Sequence, residues 1–241
     1  MTESSGDSYT QTGFNNTQTQ PNAANPMGNP AYPGYTSSNG PNWIDFLTTT
    51  YNKSQIFTYN LAYGGATVDS DLVKPYQPTV LSLKDQVNTE WIPTYKGSKV
   101  SPWSSNNTLF TFWFGINDVG NSWWMDYQTL YAKIFAEYAR NVELLYAGGA
   151  RNFLFLNVPP VDRSPMMLAQ GASAAQEKPV LAYFNNKIEE MAMNLTQRHT
   201  DTTVFVFDAN TLFGEALDNP KAFPQTANVK NTTAYCDAYQ K

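Results

Sequence analysis

The sequence predicts an α/β fold, a parallel sheet flanked by helices, and three observations predict it. Short apolar runs recur along the chain, long stretches of helical periodicity separate them, and the later runs are continuous rather than alternating. Continuous runs suit strands covered on both faces, and helices placed between strands imply parallel crossovers. A chain of 241 residues fits one domain, because single cores of this class run past roughly 200 residues.

The elements follow in order. Residues 11–42 are rich in Asn, Gln, Thr, Pro and Gly without apolar periodicity and read as a long irregular loop. Loops of that length in compact domains usually carry function. Apolar positions 43, 44, 46 and 47 predict a short helix with Asn42 as its cap. Residues 55–62 read as a strand that ends at Gly64-Gly65, and residues 109–114 as a continuous aromatic strand. Residues 124–147 repeat Tyr127, Tyr131, Ile134, Tyr138, Val142 and Leu145 at helical spacing, closed by Gly148-Gly149. The strand from Asn152 stops at Pro159-Pro160, residues 176–198 form a second long helix, and the run from Thr203 to Asp208 is the last strand. In such sheets ligands bind beyond the carboxyl ends of the strands.

Composition excludes several partners. The chain is 41% hydrophobic and 15% charged, against about 25% charged in typical soluble proteins, with a net charge of −5 and no Lys/Arg run. Such a chain has no field for a phosphate backbone, so no nucleic acid is expected. No stretch approaches the roughly 18 apolar residues of a membrane span, so no membrane partner is expected either. Met1-Thr-Glu-Ser-Ser lacks the basic start and apolar segment of a signal peptide. Glycosylation-type triplets begin at Asn15, Asn52, Asn106, Asn194 and Asn231, although a chain rich in Asn, Ser and Thr generates them by chance. No His/Cys cluster suggests a metal site, and Asp69 and Asp71 lack the second fixed carboxylate of a glycosidase. Trp103 and the Trp123-Trp124 pair could stack on sugar rings, but packing is the commoner role of such aromatics.

Three segments fall at strand ends, where a site belongs: Gly6-Asp7-Ser8-Tyr9, Asn60 to Thr67 with Gly64-Gly65, and Gly115-Ile116-Asn117-Asp118. A hydroxyl nucleophile needs hydrogen-bond donors aimed at the developing oxyanion, and a glycine N–H with an Asn amide supplies them. Ser8 is then the nucleophile and Asn117 one donor. The second is Gly64 or Gly65, with Gly64 preferred.

Taken together these segments resemble blocks I to III of the SGNH (GDSL) hydrolase superfamily. Gly6 to Phe14, Pro41-Asn-Trp-Ile-Asp-Phe-Leu47, Asn60 to Asp69 and Phe112 to Asp118 are similar to the acetyl esterases of carbohydrate esterase family 16. The resemblance implies a three-layer, flavodoxin-like fold and a secreted, monomeric enzyme. It also implies hydrolysis of acetyl esters on plant polysaccharide or oligosaccharide through an acyl-serine, with no cofactor. Two departures stand against that pattern. Family members carry a buried apolar strand directly before the Gly-Asp-Ser turn, and an Asp-x-x-His block near the C-terminus that supplies the base. This chain has Thr2 to Ser5 before the turn and ends at Tyr235-Cys-Asp-Ala-Tyr-Gln-Lys241. The expectation is a domain truncated at both ends, with the first strand absent or substituted and two inner sheet edges unpaired, and hence poorly stable. Cys236 fits a family position whose disulfide partner would lie downstream, and Asp237 has no histidine three residues on.

His199 is the only histidine. It precedes the last strand, whereas Ser8 and Asn117 follow theirs, and a six-residue strand at ~3.3 Å per residue separates the levels by roughly 20 Å. The expected role of His199 is a solvated loop residue, not the base. Two functions remain: a serine esterase lineage whose copy here is inactive as written, or a carbohydrate-binding relative that keeps the cleft without catalysis.

Overall fold

A computed structural model describes residues 1–97 and 100–236, so the expectation for Asp237 lies outside the described residues. Five strands, β1 (Thr2–Gly6), β2 (Thr58–Asn60), β3 (Leu109–Trp113), β4 (Asn152–Leu156) and β5 (Thr203–Phe207), form one parallel sheet in the order β2-β1-β3-β4-β5. That is the flavodoxin-like order, in which the chain switches direction across the sheet between β1 and β3.

The expectation of a missing first strand is therefore overturned. β1 lies inside the sheet, with Glu3 opposite Tyr59 on one side and Phe110 on the other. A parallel ladder is made by backbone groups, so a strand held from both sides does not need apolar side chains to pair. The polar residues of β1 meet the burial in different ways. Ser4 Oγ pairs with Thr111 Oγ1 at 2.5 Å. Glu3 is buried with both carboxylate oxygens unpartnered, and burial pushes its carboxyl well above the ordinary range. The two unpaired inner edges do not exist, and the instability inferred from them loses its basis. The strand foreseen over residues 55–62 contracts to Thr58–Asn60, an edge strand paired only with β1.

One face of the sheet carries Phe110, Phe112, Phe153 and Phe155, alternate residues brought level by the register. They pack under α5 (Tyr127–Ala147) and α7 (Ala172–Arg198) through Tyr138, Val142, Phe184 and Ile188. Trp113 and Leu156 occupy the other face and meet Ala209 of α8 (Ala209–Asp218), with Trp43 of α1 (Trp43–Thr49) packed alongside. On that face Phe205 and Phe207 of the edge strand β5 are 54% and 45% exposed, so α8 leaves the outer corner of the sheet uncovered. The sheet thus has helices on both faces, as the alternation of strands and helices implied.

Several helical elements had no counterpart in the sequence analysis. Between β2 and β3 runs one continuous helical segment, α2 (Leu83–Asp85), a π-helical stretch Gln86–Trp91, and α3 (Ile92–Thr94). It opens on a capping box, Ser82 with Asp85. α8 opens on Asp208, whose carboxylate accepts from the Thr211 N–H. Short helices α4 (Ile116–Gly120) and α6 (Pro165–Leu168) complete the chain, and the irregular reading of residues 11–42 stands. Among the described residues no helix is long and apolar enough to cross a membrane.

Glu3 offers a direct test. Replacing an unpartnered buried carboxyl with an apolar side chain of similar size should stabilise by about 1 to 4 kcal/mol. Glu3→Leu is expected to raise the urea midpoint at pH 7, and a lowered midpoint would show that the carboxyl has a native partner.

Candidate active site

The three segments singled out at strand ends converge where β1 and β3 diverge, the position at which this strand order opens a crevice. Immediately after β1 the chain makes a tight turn. Asp7 O accepts from the N–H groups of Thr10 and Gln11, and Asp7 Oδ1 accepts from Tyr9 N–H at 2.9 Å. Ser8 sits at the crest of this turn, half-buried. Gly6 is needed at its foot, since a Cβ there would come within 2.9 Å of Thr10 Oγ1 and 3.2 Å of Trp113 O.

A side chain that the sequence did not flag fixes this turn. Gln86, fully buried at the start of the π-helical stretch, accepts from Gly6 N–H through Oε1 at 3.0 Å and donates through Nε2 to Gly6 O at 2.9 Å. Asn60 at the end of β2 ties the far side of the turn, donating to Thr10 O at 2.7 Å and Thr12 Oγ1 at 3.0 Å. The second segment is docked through Tyr63 N–H, which donates to Gly6 O. Gly64 then lies against Gln11, whose Oε1 would be 2.2 Å from any Cβ. Gly65 adopts φ +83° against Tyr76. Among the described residues, nothing accepts from the backbone N–H of Ser8, Gly64 or Gly65. Donors left free at a half-buried strand end are what an oxyanion requires.

From β3 the third segment begins at Gly115, whose φ of +125° and contact with Phe184 and Val158 exclude a side chain. Asn117 follows in the first turn of α4 and donates through Nδ2 to Ala66 O at 2.9 Å, which orients its amide against the second segment. The other amide hydrogen stays free. Ser8 and Asn117 line one cleft of about 1010 Å³. Its walls are aromatic: Tyr9 stacks on Trp113 at 5.0 Å, Trp43 stands edge-on to Trp113, and Trp123 and Trp124 also line it.

Two carboxyls lie under this floor, both fully buried. Asp118 accepts from Val68 N–H through both oxygens, at 3.1 and 3.3 Å. Asp7 keeps Oδ2 without a partner. Burial is the main cause that pushes each up to about 7, and the charge of Asp118 adds to the effect on Asp7.

A family model described as GDSL-like lipase/acylhydrolase matches residues 5–240. The chain belongs to that family. The GDSL chain is 44% identical over 219 residues to an acetylesterase of Thermothelomyces thermophilus, a match covering 89% of this chain and 72% of that relative. It is 25% identical over 185 residues to a thermolabile hemolysin of Vibrio parahaemolyticus, covering 76% of this chain and 40% of the hemolysin. A GDSL esterase/lipase of Arabidopsis thaliana is 27% identical over 143 residues, covering 53% of this chain and 38% of the plant protein. The GDSL chain is thus of an ester-hydrolysing kind.

The remaining residues named from the sequence are placed as follows. His199 ends α7 at the amino end of β5, on the side of the sheet away from Ser8. It is not a freely solvated histidine: its ring stacks on Tyr146 at 3.7 Å and Nε2 pairs with Glu143 at 2.8 Å. Trp103 belongs to the core, against Trp91 and Phe110. Asp69 and Asp71 both pair with Lys84. Cys236 is exposed. Glu177, unremarked in the sequence because a carboxylate on a long helix reads as a solvated face, is instead buried in the cleft wall.

The raised carboxyls set a pH dependence. A folded state that holds protons released by the unfolded chain loses stability as pH rises, from about 4 until the folded values near 7 are passed, by up to about 1.4 kcal/mol per group per pH unit. Thermal unfolding should therefore shift to lower temperature between pH 5 and pH 8, and Asp7→Asn should flatten the slope. An unchanged slope in that variant would remove Asp7 from the account.

Proposed function

We propose that this GDSL chain derives from acetyl esterases acting on plant polysaccharide or oligosaccharide, with Ser8 as nucleophile, and that its 241 residues turn over slowly. The observation that carries the reading is the meeting of Ser8 and Asn117 in one aromatic-walled cleft at the sheet's switch point, with unengaged N–H donors beside them. The acetylesterase relative supports the acyl group. Chemically, Ser8 Oγ bonds to the acetyl carbon as its proton leaves. The oxyanion is received by Asn117 Nδ2 and the N–H of Gly64 or Gly65, and collapse expels the sugar alcohol with a proton. Water then releases acetate from the acyl-serine. Both halves need a base within hydrogen-bond reach of Ser8, and the sole histidine is engaged by Glu143 and Tyr146 at the other end of the sheet.

That placement of His199 also favours the second reading, a carbohydrate-binding relative whose cleft survives without turnover. An extracellular, glycosylated monomer belongs to the first reading, supported by the exposure of Asn15, Asn106, Asn194 and Asn231.

The test separates the two. Without a base, deacylation is impaired along with acylation, so an activated aryl acetate at mildly alkaline pH should leave acetyl on the protein. Mass spectrometry should find it on Ser8, absent in Ser8→Ala and formed about 10²- to 10³-fold more slowly in Asn117→Ala, the usual consequence of losing one oxyanion donor. His199→Ala should change nothing. Acetyl found only on other residues would remove Ser8 from the role, and rapid turnover lost in His199→Ala would restore the histidine as base.

A further inference from the structure

Among the described residues, Glu177 is the single ionisable carboxyl or amine lining the cleft. It stands in the second turn of α7, fully buried. Both of its oxygens lack a hydrogen-bond partner. Burial, with a smaller contribution from Asp162, pushes its carboxyl up to about 7. A buried carboxyl with neither oxygen satisfied is costly unless a ligand supplies donors.

The other lining groups say what kind of ligand that is. Ser37, Ser38, Asn42, Asn121 and Gln170 are neutral, Trp43, Trp113, Trp123 and Trp124 are flat aromatic surfaces, and among the described residues no Lys, Arg or His lines the cleft. Aromatic faces beside neutral hydrogen-bonding groups suit a polyhydroxylated ring, whose C–H face stacks while its hydroxyls donate. An anionic ring finds no countercharge and a like charge at Glu177.

We infer that Glu177 is a specificity residue, which accepts hydrogen bonds from hydroxyl groups on the alcohol half of the ester and restricts that half to uncharged, polyhydroxylated rings. This deepens the esterase reading and rests on the same cleft. It does not require catalysis, since recognition of the alcohol half is an equilibrium property. A hydroxyl bonded to a carboxylate has two acceptor oxygens available, and a glutamine in the same place retains one. A leucine retains none. A uronic acid presents the opposite case, with repulsion in the native protein and relief of it in both variants.

The experiment is a titration of the 241-residue chain, Glu177→Gln and Glu177→Leu at pH 8, read by intrinsic tryptophan fluorescence and calorimetry. The ligands are a neutral xylo-oligosaccharide and its counterpart bearing a glucuronate. The neutral ligand should bind the native chain, about 10- to 100-fold more weakly in Glu177→Leu, the range for hydrogen bonds to a charged group, and with an intermediate loss in Glu177→Gln. The uronate-bearing ligand should bind the native chain weakly and gain in Glu177→Gln. That change of sign is not produced by a structural defect, and the glutamine keeps the shape if leucine disturbs the fold. Equal affinity of the neutral ligand for all three proteins, or no binding to the native chain, overturns the inference. Ser8 acetylation with no sugar binding would leave the esterase chemistry standing without Glu177. Glu177-dependent binding with no acetyl on Ser8 would leave the recognition standing without the chemistry.

Discussion

The parallel pairing of β1 with β2 on one side and β3 on the other is the constraint on which the site depends. It sets Gly6 level with Trp113 and brings the turn that bears Ser8 to the same sheet end as Gly115 and Asn117. The turn is anchored chiefly at Gly6, the last residue of that pairing, by Gln86 on both of its polar atoms and by Tyr63 N–H on its carbonyl, while Asn60 holds Thr10 O further on. Nucleophile and donors thus sit on rigid elements rather than on the long loop, which is the arrangement that preorganised electrostatics needs.

How far the sequence reveals this depends on whether an element's reason for existing is local. β3, β4 and the two long helices carry their signal in their own residues, because each buries a full face or both faces. β1 does not. Thr2 to Ser5 have no apolar pattern, and only the two neighbouring strands make a strand of them. The absence of a local pattern is therefore weak grounds for removing a strand that is paired from both sides. The segment from Leu83 to Thr94 and the helix Ala209–Asp218 did carry signals, a capping box at Ser82 and Asp85 and an Asp208 cap before apolar positions 209, 212, 213, 216 and 217. Ser8, the glycines and Asn117 were legible because glycine and strand-end position mark them. Gln86 and Glu177 were not, since nothing in a Gln or a Glu on a helix discloses that it is turned inward.

The fold also holds buried acids beyond what the chemistry of the site uses. Glu3, Asp7, Asp118 and Glu177 are all buried, and three of them leave one or both oxygens unpartnered. Groups of this kind are retained against stability when they serve position or recognition. Asp7 and Asp118 have evident positional work: one caps the Ser8 turn through Tyr9 N–H and the other fixes the second segment through Val68 N–H. Glu3 makes no hydrogen bond through either oxygen, and only the charge of the Met1 amine favours its ionised form.

The π-helical stretch between Gln86 and Trp91 has a bearing on how the chain can vary. A wide turn holds one residue more than an α-turn, and here it lets Gln86 face Gly6 while Trp91 and Tyr95 still enter the core beside Phe110 and Tyr59. Loss of a single residue within it would regularise the helix and swing everything downstream by roughly 100° and about 1.5 Å. Gln86 and Trp91 could not then both reach their partners. The stretch therefore acts as a phase adjuster between the core and the nucleophile turn, and its length is as constrained as the identities of Gln86 and Trp91 at its two ends.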